Sequence, residues 1–129
     1  MENGELRVGS VDNPLLTKSY SFALSIVKFV RKIQRDEKEF VLTKQVLRSG
    51  TAIGALSEEA QQAESKADFI HKLAIANKEA HETHYWLRLI RDANLDRKGG
   101  VVDELISTCS ELKRLLISII KSAKARKMK

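Results

Sequence analysis

Gln45-Val46-Leu47-Arg48-Ser49-Gly50-Thr51-Ala52-Ile53-Gly54-Ala55 and, further on, Tyr85-Trp86-Leu87-Arg88-Leu89-Ile90 are the stretches from which the architecture can be read. In the first, Ser49, Gly50, Thr51, Ala52, Gly54 and Ala55 are all small. A glycine inside a helix costs about 1 kcal/mol relative to alanine, so two in one helix need a compensating gain. Ile53, Leu56 and Ala60 carry the helical spacing past both glycines, which argues against a helix end there. The missing side chains instead let a neighbouring helix approach closely, and Ser49, Gly50, Ile53 and Gly54 are read as a packing surface.

Three more helices surround this one, and almost nothing reads as a strand. Helix 1 starts at Asn13-Pro14, where Asn caps and proline gives up an N–H that would lack a partner. Leu16, Tyr20, Ala23, Val27 and Val30 form one stripe, with a second in Phe22, Ile26, Phe29 and Ile33. The charged Asp36-Glu37-Lys38-Glu39 ends it. Helix 2 is expected from a Thr43 cap to about Ala63. Ser65 opens helix 3 with Asp68 three residues on, a short capping box. Phe69, Leu73, Ala76, Ala80, Thr83, Leu87 and Ile90 then alternate spacings of four and three, the seam of a left-handed bundle. After the turn Asn94 to Gly100, helix 4 repeats the seam in Val102, Leu105, Cys109, Leu112, Leu116 and Ile119, with a second stripe in Val101, Ile106, Leu115 and Ile120. Short connections predict an all-α, antiparallel up-down-up-down four-helix bundle.

The chain of 129 residues is long enough for one core without staples. Residues 1–12 read as a flexible N-terminus, 13–123 as the bundle and 124–129 as a basic tail. The single cysteine, Cys109, forms no intramolecular disulfide and lies in an apolar stripe, which suits a reducing cytoplasm. Every apolar run is broken by charge within a turn or two, so neither a signal peptide nor a membrane span is expected. The net charge of +6 is concentrated in two zones. Lys28, Arg31, Lys32, Arg35 and Lys38 crowd the end of helix 1; Lys121, Lys124, Arg126, Lys127 and Lys129 crowd the end of helix 4. Cations at C-terminal ends complement the helix dipole, and clustered cations also form a polyanion surface.

Gln45, Arg48, Ser49 and Ile53, then Glu59-Ala60, Ala67-Asp68-Phe69, Glu79 and Tyr85-Trp86-Leu87 form a pattern. It resembles the four-helix-bundle proteins encoded in intervening sequences of bacterial large-subunit ribosomal RNA genes, over roughly residues 14 to 120. The resemblance implies an antiparallel bundle that assembles side by side into a homopentameric barrel. A similar barrel is formed by the accessory variability protein of diversity-generating retroelements, which partners a reverse transcriptase and nucleic acid. The chain departs from the family pattern at Ala52, where serine is usual, and at Leu56, where asparagine is usual.

No catalytic constellation emerges, and an enzyme is not expected. His81 and His84 are three apart on one helical face, a spacing that suits a transition metal. A carboxylate-bridged di-metal bundle, however, needs Glu-x-x-His pairs on separate helices. The chain offers only Asp68-x-x-His71, so no metal or other cofactor is expected. Cys109 has no histidine on its helix, and Gly99-Gly100 is a turn rather than a phosphate loop. Two non-enzymatic readings stand: a nucleic-acid-binding accessory protein, with RNA or DNA held through phosphates by the two basic zones, or a scaffold that binds another protein. With seven aromatic residues (one Trp, two Tyr, four Phe), several on apolar stripes, base stacking is scarce and backbone contact is the expected mode. The doubled stripes on helices 1 and 4 exceed what one bundle covers and predict a homo-oligomer. Trp86 and Tyr85, just off the helix 3 seam, together with Phe22 and Phe29, are the expected subunit contact.

Overall fold

The computed structural model describes residues 13–126. Among them are four α-helices and no strand: α1 (Pro14–Glu37), α2 (Leu42–Ala60), α3 (Lys66–Asp92) and α4 (Val101–Ala125). Each helix packs on its chain neighbours, α1 meets α4 to close the ring, and the diagonal pairs stay apart at the backbone. Cross-helix contacts fix an antiparallel register throughout. Gly50 lies against Ile26 and Gly54 against Ser19; Arg48 reaches Glu79 while Glu59 faces Lys72; Lys18 pairs with Glu111 and Lys32 with Asp96. This is the up-down-up-down bundle.

The helix ends follow from local chemistry. Asn13 accepts the Leu16 N–H at 3.2 Å, and Ser65 accepts the Asp68 N–H at 3.0 Å, both as the sequence predicts. α2 differs. Its cap is Glu39, whose carboxylate accepts the N–H groups of Val41, Leu42 and Thr43 at 2.9 to 3.0 Å. Burial pushes the Glu39 carboxyl up, but these three donors and the Thr43 hydroxyl together hold it below its usual value. Thr43, the expected cap, is instead buried one residue inside the helix. α2 also stops at Ala60, short of Ala63. At the start of α4, Gly100 adopts φ +67°, a left-handed conformation that favours glycine, and Asp96 accepts the Val102 N–H at 2.9 Å.

The seams predicted for α3 and α4 form the core. Leu73, Ala76, Ala80, Thr83, Leu87, Ile90, Val102, Leu105, Cys109, Leu112 and Leu116 are all buried. On α1 the phase differs from the first predicted stripe: Leu15, Ser19, Phe22, Ile26, Phe29, Val30 and Ile33 point inward, and Tyr20 is 61% exposed. Phe22 and Phe29, expected at a subunit contact, fill the bundle's own core. Each such ring contributes roughly 1.5–3 kcal/mol by leaving water, which one bundle alone captures here.

The small-residue surface of α2 faces α1. A Cβ on Gly50 would stand 3.0 Å from Ile26 Cγ1, and one on Gly54 would stand 3.3 Å from the Ser19 carbonyl oxygen. Ser49 is buried on the other flank, accepting a 2.8 Å hydrogen bond from Thr83 of α3 and donating to the Gln45 carbonyl at 3.0 Å. Leu56, one of the two departures from the family pattern, packs on the core. The α1–α4 seam is the sparsest, because small hydroxyl residues face each other there. Thr17, Ser21, Ser25 and Thr108 line a groove of about 510 Å³.

Candidate nucleic-acid interface

Topology separates the two basic zones. The C-terminal ends of α1 and α3 share one end of the bundle and those of α2 and α4 the other. α1 has 24 residues, which at a rise of 1.5 Å makes it about 36 Å long. With a Debye length of about 8 Å at physiological salt, zones that far apart act as separate surfaces.

The α1 zone is interleaved with acids. Lys32 pairs with the nearly buried Asp96 at 2.7 Å, Arg35 with Asp36 at 3.1 Å and Lys98 with Asp36 at 3.8 Å, while Arg97 pairs with Glu37 at 3.4 Å. Burial pushes the Asp96 carboxyl up, but the Lys32 ammonium and the backbone N–H groups of Val102 and Val101 outweigh it and hold the carboxyl below its usual range. Lys32 is therefore a structural partner. Lys38 donates to the Arg35 carbonyl at 3.2 Å. Lys28 and Arg31 have no ion pair with another described residue.

The α4 zone is different in kind. From Leu112 to Arg126 the helix carries Lys113, Arg114, Lys121, Lys124 and Arg126 and no acidic residue. None of the five has an ion pair with another described residue. Lys66 of α3 donates to the Arg126 carbonyl, bringing one more cation to the end of α4. Helix α4 continues to Ala125, so Lys124, assigned by sequence to a tail, sits on the last turn of the helix. Lys127 lies outside the described residues.

Lys113 and Arg114 extend this zone to the middle of α4, although they carry no motif, and Lys113 acts on a histidine pair of α3. Burial, and after it the Lys113 ammonium, push His81 and His84 below the usual imidazole range; Arg88, His81 and Arg91 add to the effect at His84. The one legible signal in the sequence is the acid-free run 112–126.

Of the expected subunit contact, Tyr85 is half exposed and meets Trp86 edge-on at 5.3 Å between ring centres. Trp86 packs against the core, and its indole N–H is buried without an acceptor among the described residues. The outward apolar residues of α1 are Tyr20 and Leu24, not Phe22 and Phe29. Among the described residues no group of three or more His, Cys, Asp or Glu side chains is placed to hold a metal ion. The Cys109 thiol, fully buried and 3.2 Å from the Ala80 carbonyl oxygen, is pushed by burial up to about 12, and Lys113 opposes this only in part. No helix of the described residues is long and apolar enough to cross a membrane.

Comparison with known proteins agrees with this architecture. A solved structure of a protein of unknown function from the S23 ribosomal protein family of Bacteroides thetaiotaomicron superposes with a TM-score of 0.77 at 49% sequence identity. The match covers 83% of this chain and 98% of that one. No curated protein gives a significant match. The family model of the 23S rRNA-intervening sequence protein matches residues 12–118. Sequence pattern, four-helix architecture and both matches concur, and the chain belongs to the 23S rRNA-intervening sequence protein family.

Proposed function

We propose that this protein is a non-catalytic, cytoplasmic, homo-oligomeric RNA-binding protein that holds phosphates through the C-terminal half of α4 without reading sequence. One observation carries the reading: five cations and no carboxylate from Leu112 to Arg126, against an α1 zone where Asp36 and Asp96 pair with Arg35 and Lys32 and Glu37 lies among the cations. The names of the family and of the S23 neighbour both point toward ribosomal RNA, which favours RNA over DNA as ligand. Phosphate contact by point charges releases counterions, so binding falls steeply with salt and is blind to base identity. The protein-scaffold alternative requires that no such salt-dependent binding exist. Tyr20 and Leu24, one turn apart on the outside of α1, leave apolar surface for a second subunit, which supports self-association. The family resemblance favours five subunits.

Fluorescence anisotropy with two RNAs of unrelated sequence tests the reading. Lys121→Glu with Lys124→Glu should weaken both RNAs equally. The slope of log affinity on log salt should become shallower by roughly 0.7 for each single-strand phosphate that is no longer neutralised. Arg31→Glu with Arg35→Glu should have the smaller effect. Absence of binding by the parent protein near physiological salt would leave the scaffold reading in its place.

A further inference from the structure

From Pro14 to Val27 the sequence of α1 carries a single charge, Lys18, and that ammonium turns to α4, where it pairs with Glu111 at 3.0 Å. The outside of these turns is therefore uncharged. Tyr20 and Leu24, both exposed and four residues apart on one face, project from it. Their sequence neighbours Ser21 and Ser25 point about 100° away around the helix axis. With Thr17 and Thr108 they line the α1–α4 groove of about 510 Å³, and the buried Phe22 and Leu105 form its floor. The groove hydroxyls differ from others in the bundle. Ser49, Thr51, Ser57 and Thr83 donate back to carbonyls of their own helices, whereas the hydroxyls of Thr17, Ser21, Ser25 and Thr108 make no hydrogen bond with another described residue. Of the described residues that line the groove, the charged ones are Lys18, held by Glu111, and Glu104. One subunit thus presents both a projecting uncharged pair with a single polar tip, the Tyr20 phenol, and a recess with an apolar floor and open hydroxyls.

We propose that Tyr20 and Leu24 of one subunit seat in the α1–α4 groove of a second copy of this chain, head to tail. This rests on the homo-oligomer part of the reading above and names the contact that builds it. The projecting pair and the groove look in different directions. A copy that has received a neighbour in its groove still offers its own Tyr20 and Leu24, so the contact repeats until rotation closes a ring, which a two-fold contact does not do. Heights along the bundle agree with such a ring. Neighbours related by rotation about an axis along the helices sit level with one another, which sets Tyr20 and Leu24 opposite the next copy's Ser21 and Ser25. The Lys18–Glu111 pair brings Thr108 to the height of Ser21, because the two residues lie three positions from that pair in opposite chain directions. Leu24 then covers the apolar floor and the Tyr20 phenol meets the Ser21 and Thr108 hydroxyls. Such a contact has the composition of an interface core, with tyrosine present and charge scarce.

Sedimentation velocity on the full chain at micromolar concentration tests the contact. The parent should run as a multiple of the 14.6 kDa chain. Tyr20→Glu with Leu24→Glu should shift it to the monomer. Ser21→Arg with Ser25→Arg should do the same by filling the groove while leaving Tyr20 and Leu24 in place. All four positions are exposed, so both variants should keep the helical circular dichroism of the parent. Head-to-tail pairing makes one more demand. The first variant retains an intact groove and the second an intact Tyr20–Leu24 pair, so an equimolar mixture at the highest soluble concentration should form one-to-one dimers and stop there. A multimer that persists in either variant, or a mixture of the two folded monomers that stays monomeric, would overturn the inference while the homo-oligomer reading stands. A parent protein that is monomeric throughout would remove both.

Discussion

Replacement of Gly50 by leucine probes the contact on which the fold turns. A Cβ at this position would meet Ile26 Cγ1 at 3.0 Å, Cγ2 at 3.1 Å and Cδ1 at 3.3 Å. All three are tighter than ordinary van der Waals contact. Ile26 is fully buried and β-branched, so it has little rotamer freedom with which to move aside. Three further leucine carbons must then be accommodated by separating α1 from α2. Overpacking of this kind costs about 1–3 kcal/mol, and the upper end applies because the first atom alone already crowds the site. The gain in helix propensity over glycine returns about 0.8 kcal/mol, leaving a net loss of about 2 kcal/mol. For a domain of this size that corresponds to a fall in melting temperature of roughly 8 °C by circular dichroism or calorimetry. Gly99→Ala is the control: a Cβ there meets nothing within 4 Å, and the melting temperature should hold. Combining Gly50→Leu with Ile26→Ala should cost less than the sum of the two by at least about 1 kcal/mol, since each supplies the space the other needs. An unchanged melting curve for Gly50→Leu, or strict additivity in the pair, would rule out the close α1–α2 contact.

Two further outcomes follow from buried groups. Asp96→Ala removes both the partner of Lys32 and the cap on the Val102 N–H, and should lower stability by about 2 kcal/mol in urea denaturation. Because the folded Asp96 carboxyl titrates below its ordinary value of 3.8, its contribution is fully present above that value and is lost as pH falls through the lower, folded one. Acid unfolding of the alanine variant should therefore be less steep below about pH 4, and identical acid limbs would show that the carboxylate is not coupled to folding. Cys109, buried and with its thiol pushed up to about 12, should resist a thiol-reactive disulfide reagent in the native protein and react fully in denaturant. Fast modification of the folded protein would mean that the α3–α4 seam opens readily.

Features that depend on near neighbours in the chain were legible from residue order alone. The Asn13-Pro14 start and the Ser65 cap are local hydrogen-bond chemistry, completed within three residues. The α3 seam from Leu73 to Ile90 could be read because its residues keep spacings of three and four over about five turns, which holds them on one helical face although Ile75, Trp86 and Leu89 lie between them. On α1 that logic loses its grip. Leu16, Tyr20 and Leu24 are as apolar as the true core residues Leu15, Phe22 and Phe29, so periodicity alone leaves the phase open. Packing against Gly50 and Gly54 resolves it, since only the face that carries Ser19 and Ile26 fits those flat positions. The α2 cap shows the same limit on a smaller scale: Glu39 outcompetes Thr43 because its longer side chain reaches three N–H groups at once. For the candidate site, the sequence showed two clusters of cations but not their worth. Partners such as Asp96 for Lys32 and Glu37 for Arg97 are some sixty residues away in the chain. The antiparallel course of the helices put those acids beside the α1 cations, left the α4 cations without any, and brought His81 and His84 next to Lys113. Residue type sets a charge, but whether that charge is neutralised in the fold or left to face a ligand depends on which residues tertiary packing sets around it.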